Sequence, residues 1–198
     1  MAMMRALLHT APETLASPGE ALAALNARLF GNVPSGSFAT ACYAVLEPAG
    51  GWLEYALGGH HPALLVHEAD GGVEDLTTPD GLPLGVWSTV SFSCRRAALA
   101  PGDTLLVFTD GLLEAMSPEG ELFGGDRVRR LLAAHRHAGP ESIRLCLVEA
   151  IRAHCGSRPP EDDLTFILIR ALPRLAARGV GDGLDAAAAA GVASAASV

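Results

Sequence analysis

LLVFTDGLLEA, residues 105–115, is the stretch on which the reading of this chain turns. An apolar run, Leu105 to Phe108, passes through Thr109 into Asp110 and Gly111 and then resumes at Leu112 and Leu113. An ionised carboxylate beside buried strand residues is costly unless water, an arginine, a helix N-terminus or a metal ion meets it. The run reads as a strand over 104–109 that leaves the turn Pro101-Gly102-Asp103. A second apolar run, Leu164 to Ile169, follows Glu161-Asp162-Asp163 and is predicted to be a strand buried on both faces.

As antiparallel neighbours, the end of the first strand would lie beside the start of the second, so Asp110 would share a sheet edge with Asp162 or Asp163. Carboxylates brought that close repel, and they persist either by protonation or around a cation. Hard oxygen ligands of this kind suit Mg²⁺ or Mn²⁺. A plainer reading competes with this one. Asp-Gly is a common turn pair in which glycine takes positive φ, and acids ahead of a strand are often solvated turn residues.

Outward from this pair, apolar spacing predicts helices over Met1–Thr10 and Pro18–Phe30, the second with Ser17 as N-cap and Pro18 in its first turn. The first has no start signal for its leading N–H groups. Strands are predicted over 38–46 and 52–57, joined by the turn 47–51, then over 63–67, 73–76 and 90–97. Helices follow over 127–135 and 141–154. Hairpin-linked strands flanked by helices indicate an α+β fold of antiparallel sheets rather than repeated βαβ units. Beyond Arg170 the composition turns to Ala and Gly, and residues 172–198 are expected to be a disordered or frayed low-complexity tail.

At 198 residues the chain is long enough for a full core, and 18% charged residues fit a globular protein. A net charge of −8 argues against a nucleic-acid partner, which needs clustered Lys and Arg. No segment reaches the roughly 18–20 apolar residues of a membrane helix, and no signal peptide is evident. Cys42, Cys94, Cys146 and Cys155 show no paired spacing and read as reduced, buried thiols of a cytoplasmic protein.

Other polar candidates carry less. His60 and His61 sit in a glycine-rich turn with no third ligand at zinc spacing. His135 and His137 fall at a helix C-terminus, where a cationic ring is favoured. Gly124-Gly125 lacks the following lysine of a phosphate loop and reads as a turn before a helix.

APGDTLLVFTDGLLEAMSPEGELFG (100–124) resembles the strand, Thr-Asp-Gly turn and Phe-Gly hairpin of PPM-type (protein phosphatase 2C) metal-dependent serine/threonine phosphatases, in particular their bacterial SpoIIE-like branch. GGHHPALLV (58–66) is similar to that branch's Gly-His-Pro-Pro turn, GLPLG (81–85) to its Gly-x-Pro-Leu-Gly loop, and DDLTFILIR (162–170) to its closing Asp-Asp strand. The resemblance implies an α/β/β/α four-layer sandwich over residues 1–171, with two Mn²⁺ or Mg²⁺ ions at one end. It implies that Asp110 and Asp162 are catalytic metal ligands, with Asp163 a neighbour. The implied substrate is a phosphorylated protein of the anti-sigma-factor antagonist type.

One departure separates the chain from this pattern. The family's other ligands, including the aspartate bridging both ions, come from Gly-Gly-Asp and Asp-x-x-Gly-His-Gly segments that are absent here. On the resemblance, MAMMRALLHT lies inside the helix after that loop, so the domain is expected to lack its first strands. Glu13, Glu20, Glu47 and Glu54 stand in none of the required contexts. Three functions follow: a phosphatase, a catalytically impaired binding module holding at most one loosely bound ion, and an unrelated metal hydrolase. Missing strands would also leave sheet edges open to dimerisation.

Overall fold

The computed structural model describes residues 17–34, 36–158 and 163–172, and the backbone of 194–197. In chain order these form α1 (Pro18–Leu29), β1 (Ala41–Glu47), β2 (Trp52–Gly58), β3 (Ala63–Val66), β4 (Val73–Leu76), β5 (Arg95–Ala98), β6 (Thr104–Phe108), the single turn α2 (Gly111–Glu114), α3 (Gly125–Ala134), α4 (Pro140–Cys155), β7 (Thr165–Arg170) and β8 (Ser194–Ser197). The helix expected over Met1–Thr10 lies outside the described residues, as do Glu13 and Asp162. Two compact units result, one from the residues up to Pro62 with Asp75–Leu99, the other from Ala63–Glu74 with the chain after Leu99.

In the first unit the sheet order is β1-β2-β5, antiparallel throughout. Helix α1 starts at Pro18 with Ser17 as N-cap, as its signals indicate, but the Ser17 side chain makes no capping bond. The Gly19 N–H donates instead to Cys94 Sγ at 3.1 Å. Leu22, Leu25 and Leu29 recur at helical spacing and bury one stripe against Ala56, Leu84 and Phe92. Asn26 is buried within this face, where its Nδ2 donates to the Trp87 carbonyl and its Oδ1 accepts the Gly85 N–H, each at 2.9 Å.

The strand expected over 90–97 is shorter than its sequence suggests. Phe92 turns into the α1 cluster, and the Ser93 N–H donates to the Asp80 carboxylate rather than to a neighbouring strand. Pairing with β2 therefore begins only at Arg95. The Ser93 hydrogen bonds hold the Asp80 carboxyl below the usual carboxylate range. On β2 and β5, Glu54 pairs with Arg96 at 3.2 Å and Arg96 lies 4.4 Å over the Trp52 ring. Glu47 accepts the N–H of Ala49 in its turn. These acids have local structural partners.

All four cysteines are free, as expected, but only Cys155 is fully buried. Cys94 is exposed, and its sulfur accepts the Gly19 N–H at the start of α1. Desolvation pushes the Cys42 thiol up to about 11, so it stays protonated near neutrality.

The other sheet has the order β4-β3-β6-β7-β8. The β6–β7 ladder is antiparallel, from Thr104 opposite Arg170 to Phe108 opposite Phe166, so the neighbour relation expected of the two apolar runs is realised. Leu106, Phe108, Leu112, Phe123, Val128, Leu132, Ile143, Leu147, Phe166 and Leu168 form one core with α3 and α4. β7 is not buried on both faces: Leu164, Phe166 and Leu168 enter this core, while Ile167 and Ile169 are half-buried. Period-two alternation presents only one face of the strand to the helices.

Four residues of the tail are described. Ser194–Ser197 pairs antiparallel with β7 from Thr165 to Leu168. An edge strand offers unpaired backbone groups to which such a segment can bond.

The end of β6 opposite Asp110 is closed by a buried acid. Asp103 is 3% exposed, and its carboxylate accepts the N–H groups of Glu68 and Ala100, each at 3.0 Å. His67 Nδ1 stands 3.3 Å from the same carboxylate. Nearby, Arg170 at the end of β7 donates to the carbonyls of Arg136 and Ala138 and to Glu68, tying the α3–α4 connection to the sheet.

Candidate active site

The exposed end of β6 is where the sequence placed its carboxylates. After Phe108 the chain leaves the ladder and forms α2, with Asp110 as its N-cap. A single turn has too few internal bonds to stand alone. It is held by fully buried Leu112 and by the hairpin that follows: the Phe123 N–H donates to Ala115 O at 2.7 Å and the Gly124 N–H to Leu113 O at 2.9 Å. Met116 and Leu122 bridge across that hairpin. Gly124, at φ 76°, then turns the chain into α3, as the Gly-Gly pair indicates.

Asp110 itself is exposed, and its Oδ1 accepts the Gly111 N–H at 3.1 Å. Water and a backbone donor therefore meet its charge. Among the described residues no cationic side chain is ion-paired with it. Gly111 does not need its glycine for positive φ, contrary to the turn-pair reading. The reason is a close approach: a Cβ on Gly111 would stand 2.7 Å from the Asp163 carbonyl oxygen.

The structure thus brings the Asp110 turn into contact with the backbone of Asp163, whose side chain is exposed. Thr109 strengthens the contact. Its N–H donates to Thr165 O at 2.9 Å, while its hydroxyl lies 3.1 Å from Asp163 O and 3.3 Å from Thr165 O and accepts the Thr165 N–H at 3.1 Å. Thr109 and Gly111 went unread as site residues in the sequence. Their signal was available: a hydroxyl and a glycine flank the acid at a strand end.

The described donors fit a hard divalent cation in kind, since Asp110 and Asp163 have exposed side chains at neighbouring strand ends. In number they are few. Among the described residues no group of three or more His, Cys, Asp or Glu is placed to hold a metal. The remaining candidates serve other ends. His60 Nδ1 lies 2.9 Å from the His61 carbonyl oxygen. His135 caps α3 with Nδ1 2.9 Å from Leu131 O, and His137 lies 3.5 Å from Glu68.

Two antiparallel sheets with flanking helices and an acidic strand end define a PP2C-type phosphatase fold, and solved structures share it. The SiaA-PP2C domain of Pseudomonas aeruginosa superposes with a TM-score of 0.70 at 19% identity, over 85% of this chain and 66% of that one. The RsbU and RsbW domains of Rv1364c from Mycobacterium tuberculosis give 0.69 at 30% identity, over 88% of this chain and 48% of that one. In sequence, the phosphoserine phosphatase RsbU of Bacillus subtilis is 26% identical over 176 residues, 86% of this chain and 50% of RsbU. Residues 1–172 match the family described as Stage II sporulation protein E (SpoIIE), and the chain belongs to that family.

The SpoIIE family is one of PP2C-type serine/threonine phosphatases that depend on metal. The chain spans half or less of the length of the curated relatives it matches. No described helix is long and apolar enough to cross a membrane.

Proposed function

We propose that this chain carries part of a metal-dependent phosphatase that hydrolyses phosphoserine or phosphothreonine on a protein of a cytoplasmic, bacterial partner-switching pathway, of the anti-sigma-factor antagonist type. The observation that carries this reading is the juxtaposition of exposed Asp110 with the backbone of Asp163, one residue from Asp162. On this reading Asp110 and Asp162 hold Mn²⁺ or Mg²⁺, Asp163 is a neighbour, and residues 1–171 are the phosphatase domain, followed by the 172–198 tail. A divalent ion bound there would acidify a coordinated water and neutralise phosphate charge. The chain's own part is to present the Asp110 carboxylate to solvent from the end of β6. The name of RsbU, a phosphoserine phosphatase, supports the substrate class. The joining of RsbU and RsbW domains in Rv1364c supports a signalling partner.

The test is release of phosphate from a phosphoserine protein by the full chain, with and without Mn²⁺. Mn²⁺-dependent hydrolysis that is lost in Asp110→Asn is the expected result. Hydrolysis indifferent to Mn²⁺, or an Asp110→Asn variant as active as wild type, refutes the assignment.

A second reading, a binding module with impaired catalysis, is favoured by the lack of a three-ligand cluster among the described residues. So few protein ligands leave a hard cation mostly hydrated and weakly held. Calorimetry showing two tightly bound Mn²⁺ ions per chain would exclude it.

A further inference from the structure

We infer that Thr109 is a positioning residue whose hydroxyl replaces a backbone carbonyl in the β6–β7 ladder and so sets the spacing between Asp110 and the segment leading into β7. The phosphatase reading enters only in what Asp110 then does.

The inference starts from hydrogen-bond accounting. Beyond Phe108 opposite Phe166, the next antiparallel pair is Thr109 opposite Thr165, and the Thr109 N–H does donate to Thr165 O. In such a pair both residues exchange N–H···O bonds, so the Thr165 N–H should reach the Thr109 carbonyl. It does not. That carbonyl has turned away to accept the Leu112 N–H at 3.1 Å, which closes the α2 turn. The Thr165 N–H donates instead to Thr109 Oγ1 at 3.1 Å.

The hydroxyl proton in turn faces the carbonyls of Asp163 and Thr165, at 3.1 and 3.3 Å. One side chain therefore accepts where the backbone no longer can and donates one step further, reaching the residue next to Asp162. Two requirements are met together. The chain turns sharply enough to point Asp110 at solvent, and the Asp163 backbone stays against it. A residue without a hydroxyl would leave the Thr165 N–H without this acceptor and would remove the Thr109 hydrogen bond to the Asp163 carbonyl. Serine would satisfy both; valine, of the same shape, would satisfy neither.

The full chain is compared as wild type, Thr109→Val, Thr109→Ser and Asp110→Asn. Amide exchange of Thr165 reads the strut directly. Protection is expected to fall about tenfold in Thr109→Val and to be kept in Thr109→Ser. Mn²⁺ titration followed by electron paramagnetic resonance reads the positioning, with affinity about tenfold weaker in the valine variant and recovered with serine. Unchanged Thr165 protection in Thr109→Val overturns the inference. So does a Thr109→Ser variant whose Thr165 protection falls about tenfold below wild type, a comparison that stands even where the valine variant does not fold. Lost protection with wild-type Mn²⁺ affinity overturns the positioning role. If wild type and Asp110→Asn bind Mn²⁺ alike, it is the metal reading of Asp110 that fails, while exchange at Thr165 still decides the strut.

Discussion

Gly111→Ala adds one methyl group where the chain leaves no room for it. The new Cβ would stand 2.7 Å from the Asp163 carbonyl oxygen and 3.2 Å from its carbonyl carbon, about 0.7 Å inside ordinary contact for the nearer atom. Both atoms are backbone, and Thr109 ties that carbonyl to the strand end, so no side-chain rotation relieves the clash. Overpacking of this sort costs about 1–3 kcal/mol. Helix propensity acts in the other direction, favouring alanine over glycine by up to about 1 kcal/mol in a helix interior and less at the first residue of a single turn. Overpacking wins, leaving a net loss of about 1–2 kcal/mol. For a domain of this size that lowers Tm by about 2–8 °C. Circular dichroism melts of the two proteins measure it. An alanine variant that melts at or above the wild-type temperature would mean that the close approach constrains nothing, and the account of this glycine would fall.

Two further perturbations test acids outside the candidate site. Asp103→Ala removes the acceptor of the Glu68 and Ala100 N–H groups and is expected to cost about 2–4 kcal/mol in urea unfolding, with Mn²⁺ affinity unaltered because it lies at the opposite end of β6. Asp80→Asn tests the acid limb. The Ser93 hydrogen bonds depress the folded pKa of Asp80, so their stabilisation is present above the unfolded value of about 3.9 and is lost as pH falls through the lower folded value. Wild type is therefore expected to lose stability more steeply than Asp80→Asn below about pH 4, as read from urea midpoints across that range. Parallel curves would remove Asp80 from the account of acid unfolding.

Elements with strong local signals were legible in the sequence. The apolar runs ending at Asp110 and starting after Asp163 form neighbouring antiparallel strands, and the two periodic segments near the C-terminal half form α3 and α4. The strands predicted over 63–67 and 73–76 form as β3 and β4, and Gly71 between them turns the chain at φ 78°. What stayed illegible depends on partners remote in the chain. The start of β5 is set by Asp80 and by the α1 face that takes Phe92. Cys94 meets the start of α1 through its sulfur, a contact between residues 75 positions apart that periodicity does not encode. At the candidate site the acid itself was readable, whereas the roles of Thr109 and Gly111 follow from the backbone of residues 163–165 lying against them.

The five residues of β6 act as a ruler between two aspartates of opposite fate. Asp103 is chemically spent, its oxygens committed to the fold, whereas Asp110 keeps lone pairs to offer. Because side chains alternate along a strand, inserting or deleting one residue between them would swing the outer acid to the other face of the sheet and uncouple Thr109 from Thr165. The length of this strand is therefore under tighter constraint than the identity of its apolar residues, and swaps among Leu, Ile and Val there should be tolerated where a single indel is not.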